Sequence, residues 1–266
     1  MIVVASGCDG PTLRRLRSRA KGGGKLLLLE EPARRGKAEA INKIARSCAS
    51  DLLVLTNSDA EPAPGSIAAL LAEMDDGGRV GIVSATPYFD GDGGMESGLL
   101  KVMWSAHNAS SLLHSALGTA NHSTDELMVI RRGALSELPE GTVNDGAYMG
   151  GRAVQKGYLV RTSATARVRI AVPGRLHQVV GQRRRVLFGH IQAWKALGAR
   201  PRTVESLLTA SPATALRIMV WTLAASPELI PVLPVALVTE GAALLLALRD
   251  TLVSTPSHAV WKRYAA

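Results

Sequence analysis

Short apolar runs alternate with amphipathic segments along the first half of the chain. The runs that predict buried strands are residues 2–6, 25–29, 52–55, 80–85 and 126–130. Apolar residues at helical spacing predict helices over residues 12–20, 38–48, 64–74 and 95–117. Because strands that alternate with helices of this length build a sheet covered on both faces, the pattern predicts an α/β fold with a mostly parallel sheet.

Polar residues follow two of these predicted strands directly. Asp9 lies in the loop after the first strand, and Asn57, Ser58 and Asp59 follow the third. Parallel sheets bind ligands in the crevice beyond the carboxyl ends of their strands. Asp59 could therefore ligate a divalent cation that bridges a diphosphate, since such cations prefer hard oxygen ligands. The alternative is that this aspartate only caps the next helix.

The overall charge calls for an acidic partner. The formal net charge is +9, and the cations concentrate at residues 14–25, 34–37 and 182–185. Aromatic residues make up only 4% of the chain, so stacking of nucleic-acid bases on exposed rings is disfavoured. We therefore expect phosphate groups or an anionic membrane surface, and no nucleic acid, as the partner.

The cysteines and the N-terminus indicate a compartment. Cys8 and Cys48 are too few for a disulfide framework and form no metal-binding pattern. The chain opens directly on an apolar run without a basic leader, so we expect no secretory signal. A reduced domain that faces the cytosol is the simplest interpretation.

Several motifs follow one another in order along the chain. The run GKAEAIN at residues 36–42 and the run DLLVLTNSDA at residues 51–60 are the first two. They resemble the G-K-x-x-A-x-N helix start and the strand ending in a D-x-D-type motif of one known family, the inverting family 2 glycosyltransferases of the GT-A fold. The strand at residues 126–132, the pair Asn144-Asp145 and the run QRRRV at residues 182–186 follow in the family's order. The last resembles the Q-x-x-R-W motif of the membrane-bound branch, which includes enzymes similar to cellulose and hyaluronan synthases.

The resemblance implies transfer of a sugar from a nucleotide-diphosphate sugar to the hydroxyl of a saccharide or lipid-linked acceptor, with inversion. Asp145 is the expected catalytic base, because a carboxylate within reach of the acceptor hydroxyl can accept its proton. Mg²⁺ or Mn²⁺ is expected at Asp59. The residues expected to bind the donor are Ser6, Asp9, Lys37, Ser58 and Asp59. Those expected at the acceptor or the diphosphate are Glu126, Asn144, Gln182, Arg184 and Arg185.

Three departures from the family pattern leave an alternative open. Asn57 stands where the first acid of the D-x-D motif usually lies, and Val186 replaces the tryptophan of Q-x-x-R-W. The chain also begins at what resembles the family's second strand, so the sheet is expected to lack the first. The alternative is a non-catalytic membrane or scaffold protein that retains a degraded glycosyltransferase fold.

The last quarter of the chain predicts a membrane-associating tail. Apolar blocks occupy residues 213–225 and 229–248, and the second approaches the ~20 residues that a spanning helix needs. We therefore divide the chain into a catalytic domain at residues 1–205 and a helical tail at 206–266, with the catalytic domain on the cytoplasmic side of the cell membrane. A hairpin would return residues 261–264 to the cytosol, and a single span would place them outside. Core helices packed on the catalytic domain are the soluble alternative, which Glu240 supports.

Overall fold

A computed structural model describes residues 1–22, 25–74, 77–91, 94–253, 258 and 260. The strands are β1 (Ile2–Ser6), β2 (Leu27–Glu31), β3 (Leu52–Thr56), β4 (Ala60–Pro62), β5 (Val80–Tyr88), β6 (Leu127–Arg131) and β7 (Leu159–Ile170). The α-helices are α1 (Gly10–Lys21), α2 (Lys37–Ser47), α3 (Ser66–Glu73), α4 (Met95–Ala116), α5 (Asp145–Gln155), α6 (Leu176–Leu197), α7 (Val204–Ala210), α8 (Pro212–Ala225) and α9 (Leu233–Val253). A 3₁₀ segment, Pro227–Val232, joins the last two helices.

The α/β class is confirmed, and the larger sheet is mixed rather than mostly parallel. Its strand order is β3-β6-β5-β7-β4, and only β5 and β7 pair in parallel within the described residues. The strand β6 lies antiparallel between β3 and β5. An apolar run predicts a buried strand but carries no information about its direction, so the sequence pattern could not show this reversal.

Helices cover both faces of this sheet, as the alternation predicted. On β6, Met128 and Ile130 face a cluster that contains residues of α2 and α5. Leu127 and Val129 face the opposite cluster, which contains Leu70 of α3. All four of these β6 side chains are fully buried, so β6 is covered on both faces.

The strands β1 and β2 form a separate parallel pair, with Ile2 opposite Leu27 and Ser6 opposite Glu31. The helix α2 contacts β1, and its residues Ala38 and Ile41 also pack in the cluster of the larger sheet. This helix therefore connects the two sheets. The absence of the family's first strand remains a prediction.

The reversed direction of β6 determines which residues meet at the edge of the sheet. Thr56, at the carboxyl end of β3, lies opposite Leu127, at the amino end of β6. The amide of Asn57 and the hydroxyl of Thr56 each donate to the carbonyl oxygen of Glu126, both over 3.1 Å. The segment before β6 is thereby brought beside the polar residues that follow β3.

Close backbone approaches fix the amino end of α5. A Cβ atom on Gly146 would lie 2.2 Å from the carbonyl oxygen of Ser123. A Cβ on Gly189 of α6 would lie 2.5 Å from Cβ of Asn144, the residue that caps α5. Only glycine permits contacts this short, so the loop before β6, the start of α5 and the middle of α6 are in direct contact.

The C-terminal helices, which form the predicted tail, pack on the rest of the chain along α6. Arg183 donates to both carboxylate oxygens of Glu240, over 2.9 and 2.7 Å, and Arg184 donates to both of Asp250, over 2.5 and 2.6 Å.

Within the described part of the chain, Pro227–Val253 is the one helical segment long and apolar enough to cross a membrane, and length and composition alone establish this. The division between residues 205 and 206 remains a prediction. Residues 261–264 lie outside the described part of the chain.

We predict that Gly189→Ala loosens the contact between α5 and α6. Overpacking of a closely packed site typically costs about 1–3 kcal/mol, and here the clash is with backbone and Cβ atoms that cannot rotate away. Thermal and urea unfolding should show this loss. Gly174→Ala is the matched control, because nothing lies within 4 Å of a Cβ at that position. Equal stability of the two variants would contradict the packing argument.

Candidate functional site

One lysine and two aspartates from three separate parts of the chain meet at the edge of the larger sheet. Nζ of Lys37 lies 2.9 Å from Oδ2 of Asp145 and forms a still closer ion pair with Asp125. Gly36 places the lysine: its φ of 97° lies in the region that favours glycine, and Lys37 then begins α2. We call Lys37, Asp125 and Asp145 the charged cluster.

Asp145 is held rigidly at the first residue of α5. The side chain of the preceding Asn144 accepts a hydrogen bond from the amide of Ala147 over 2.9 Å and so caps the helix. Asp145 is 2% exposed. Its Oδ2 is buried and forms the ion pair with Lys37. The carboxylate is therefore positioned and charged at the start of α5.

Burial and neighbouring charges separate the pKa values of the carboxyl groups at this edge. Burial, and then the Asp125 charge, raise the pKa of Asp145 to about 6 even though Lys37 opposes the shift. The same two causes, in the same order, raise the pKa of Glu126 to about 8. Burial would also raise the pKa of Asp125, but Lys37 holds it well below its usual range. At neutral pH, Asp125 and Asp145 are therefore ionised and Glu126 is largely protonated.

Lys37 is committed to these carboxylates. Burial would lower its pKa, but the charges of Asp125 and Asp145 raise it above its usual value. The amine thus stays charged, and its charge is balanced by two close acids. An additional phosphate would meet little net positive charge here.

The three consecutive arginines of α6 point in three directions, as residues about 100° apart on a helix must. Arg183 and Arg184 bind carboxylates of the tail. Arg185 donates from Nη2 to the carbonyl oxygen of Val143 over 3.2 Å and from Nε to that of His258 over 3.0 Å. Its charge also lowers the pKa of Asp125, so Arg185 lies on the side of α6 that faces the charged cluster.

The other residues expected at the acceptor and the diphosphate are distributed unevenly. Asn144 and Glu126 lie next to members of the charged cluster in the chain, and Glu126 has a buried Oε2 without a hydrogen bond in the described part of the structure. Gln182 is half-buried on α6. Arg184 is engaged by Asp250 and so lies apart from the cluster.

The end of β3 carries the expected cation ligand. Asp59 and Ser58 are exposed, and Asn57 is half-buried. The described residues contain no group of three histidine, cysteine or acidic side chains that could hold a metal ion. Asp59 can still fit Mg²⁺ or Mn²⁺, because Mg²⁺ is commonly held by one or two carboxylates together with substrate phosphates and water.

The two residues expected after β1 make local contacts. Oδ1 of Asp9 accepts a hydrogen bond from the amide of Thr12 over 2.7 Å and caps α1. The hydroxyl of Ser6 donates to the carbonyl oxygen of Ala33 over 3.3 Å. Their roles in donor binding remain predictions.

Asp125 is the member of the charged cluster that sequence analysis missed. It directly precedes Glu126, which was chosen for its place at the start of a predicted strand. The pairing of acids at positions 125 and 126 was a usable signal. What the sequence could not show was that β6 runs back towards Lys37, since that depends on strand direction.

A row of three histidines, His122 buried and His107 and His190 half-buried, lies near Asp125. The ring of His122 contacts those of His107 and His190 edge to face, with centroids 5.7 and 5.2 Å apart. Nε2 of His107 lies 3.4 Å from the hydroxyl of Thr124. Burial lowers the pKa of His107 and of His190 to about 3, so these rings are neutral at pH 7.

Comparisons with known proteins agree on one fold. The sequence model described as Glycosyl transferase family 2 matches residues 1–138. The mannosyltransferase PcManGT from Pyrobaculum calidifontis, solved with GDP-Man and Mn²⁺, superposes with a TM-score of 0.62 at 21% identity and covers 96% of this chain and 78% of its own. GalNAc-T7, solved with UDP, GalNAc and Mn²⁺, gives a TM-score of 0.51 at 14% identity, over 73% of this chain and 41% of its own. The expected GT-A fold is confirmed. No curated protein sequence matches the chain.

We predict that Glu126→Gln flattens the dependence of stability on pH. The folded pKa of about 8 exceeds that of an unfolded glutamate, 4.5, so wild-type unfolding free energy falls as pH rises between these values and levels off above them. Each pKa unit corresponds to about 1.4 kcal/mol of unfolding free energy, and the glutamine variant lacks this pH-dependent contribution because its side chain does not titrate. Urea unfolding at pH 5 and pH 8 measures the difference. An equal decline in both proteins would contradict the burial of Glu126 as a neutral acid.

Proposed function

The chain belongs to glycosyl transferase family 2, and from that premise we propose that it transfers a sugar from a nucleotide-diphosphate sugar to an acceptor hydroxyl with inversion at the anomeric carbon. The single observation that carries the proposal is the environment of the Asp145 carboxylate. Asp145 is a buried carboxylate at the capped start of α5, paired with Lys37, and burial and the Asp125 charge raise its pKa to about 6. An inverting transfer needs such a base, poised near the working pH, on the acceptor side of the sugar.

Asp145 takes the proton of the acceptor hydroxyl through Oδ2 as the oxygen attacks the anomeric carbon. The bond between that carbon and the leaving diphosphate breaks in the same step. Lys37 holds the carboxylate in place and favours its ionised form. The negative charge of Asp125 offsets the positive charge of Lys37, so the ionised form of Asp145 keeps enough affinity for a proton to act as a base. The sequence had placed Lys37 with the donor; its ion pairs favour this positioning role instead.

The leaving nucleoside diphosphate develops negative charge that must be neutralised. Arg185 faces the charged cluster and can exchange its carbonyl partners for phosphate oxygens, which form stronger charge-assisted hydrogen bonds. Asp59 would hold Mg²⁺ or Mn²⁺ together with the donor diphosphate, and the cation would stabilise the leaving group. Ser6 ends β1, and Asp9 and Ser58 lie on the loops after β1 and β3. All three would contact the rest of the donor.

We also propose that the acceptor is a saccharide or a lipid-linked sugar at a membrane, with the catalytic domain on the cytoplasmic side. The apolar segment Pro227–Val253 and the net charge of +9 support a membrane partner.

The second candidate is a non-catalytic membrane or scaffold protein, which Asn57 and the lone carboxylate of Asp59 favour. The separated pKa values of Asp145 and Glu126 favour the enzyme, because groups tuned in this way cluster at functional sites. A hydrolysis screen over nucleotide sugars with Mg²⁺ or Mn²⁺ decides between the two. If the wild type releases a nucleoside diphosphate and Asp145→Asn does not, the protein is an enzyme. If the wild type binds donors but turns none of them over, the scaffold is supported.

We predict that Asp145→Asn keeps donor binding and loses transfer. A general base typically contributes roughly 10²–10⁴-fold in rate, and the amide is close in shape but cannot accept the proton. In the wild type, kcat/KM should fall as pH drops below about 6, because Asp145 is then protonated. Steady-state kinetics and calorimetry of donor binding measure both effects. Asp51→Asn, at an exposed position before β3, is the control, and near-normal transfer by Asp145→Asn would refute the role.

A further prediction is that Asp59→Ala abolishes the part of donor affinity that depends on the cation. Calorimetry with a nucleotide sugar, with Mn²⁺ and with a chelator, should show a large difference for the wild type and none for the variant. Glu140→Ala, another exposed acid, should behave like the wild type. Unchanged Mn²⁺-dependent affinity in Asp59→Ala would place the cation elsewhere.

A further inference from the structure

The outward side of the C-terminal helices is apolar along nearly its whole length. We call the exposed side of α8, the 3₁₀ segment and α9 the tail face. Its most exposed large apolar side chains include Val220, Trp221, Leu237, Val238, Leu245 and Leu252. Among the described residues, the exposed charges of the tail are Arg217, Glu228 and Arg249. Glu228 and Arg249 lie near the ends of their helical segments, and Arg217 lies in the middle of α8, where its long side chain can reach the headgroups. Soluble monomers rarely expose an apolar surface of this length without a partner.

The opposite side of α9 is a narrow stripe that packs on the catalytic domain. Ala236, Thr239, Ala243 and Ala247 are buried and recur every three or four residues, so they lie on one side of the helix. Ala243 and Ala247 form one cluster with Leu187 of α6. These small residues let the two helices approach closely.

Two ion pairs extend this contact along α9. Glu240 is bound by Arg183, which also pairs with Glu205 of α7, and Asp250 is bound by Arg184. Glu240 and Asp250 are ten residues apart, which is about 15 Å along a helix. α9 therefore lies against α6 over about half of its length and does not merely touch it at one crossing.

This contact determines how the tail can meet a membrane. If α9 crossed a bilayer in this arrangement, α6 would be drawn into the hydrocarbon with Arg183, Arg184 and their acidic partners. Charged groups at that depth are strongly disfavoured. A tail that keeps its contact with α6 can instead bury only its outward side.

We propose that the tail face lies in the boundary between headgroups and acyl chains of an anionic bilayer, while α9 stays packed on α6 and does not cross. This rests on the proposed membrane association and not on sugar transfer. The charge selects the partner: the chain carries +9, so two copies repel each other and an anionic surface attracts. Apolar burial and basic charge together supply the two signals that stable membrane attachment requires.

Vesicle flotation of the full chain tests the tail face. The wild type should float with phosphatidylcholine vesicles that contain phosphatidylglycerol, and Leu245→Asp and Val238→Asp should reduce the bound fraction at least tenfold without changing thermal unfolding. Leu117→Asp, an equally exposed position after α4, is the matched control. Equal binding by all three variants would overturn the proposal. A wild type that is dimeric without lipid, and that the tail variants render monomeric with vesicle binding intact, would assign the face to a second copy.

Two single-cysteine reporters distinguish a tail that lies on the bilayer from one that crosses it. Glu228→Cys and Arg249→Cys are introduced separately after Cys8 and Cys48 are replaced by alanine, and the protein is bound to preformed sealed vesicles. Both should react with a membrane-impermeant maleimide without detergent. A crossing hairpin would protect position 228, and a single span of α9 would protect position 249. Protection of either reporter until detergent is added overturns the proposal, whatever the outcome of the transfer assays.

Discussion

The ion pairs of Lys37 with Asp125 and Asp145 hold together the parts of the chain on which everything else at the site depends. The three residues come from the start of α2, the loop before β6 and the start of α5, which are 88 and 20 residues apart in sequence. A buried charge is tolerated only when it is paired, so each member requires the other two. The cluster therefore fixes three elements at once and also determines which of its acids can act as a base.

The same electrostatics assigns different tasks to the neighbouring acids. Asp125 receives most of the stabilisation from Lys37 and stays ionised, and its charge then raises the pKa values of Asp145 and Glu126. Without the charge of Asp125 the pKa of Asp145 would be lower, and without Lys37 it would be higher. The balance leaves Asp145 near neutrality, where an ionised carboxylate still has appreciable affinity for a proton.

The pattern of apolar and polar residues predicted the strands and helices of the first half well. Buried strands require short apolar runs, and residues 2–6, 52–55 and 80–85 are such runs. Motif order led to Asp145 and Asp59. The strand direction of β6, and with it Asp125, could not be predicted, because direction depends on how the chain packs over long range. The partner of Arg184 was hidden for the same reason: Asp250 lies 66 residues away on a helix whose composition indicates a membrane span.

That helix shows why composition and position must be separated. Counted by residue type, Pro227–Val253 qualifies as a span. In the fold, the two acids of α9 face the arginines of α6, and Leu237, Leu245 and Leu252 face outward. α6 carries Arg183 and Arg184 towards the tail, Arg185 towards the charged cluster, and Gly189 against the cap of α5. The tail and Asp145 are thus attached to one helix. A displacement of α9 would reach Asp145 through α6 and Asn144, which makes the tail a structural part of the unit that holds the charged cluster.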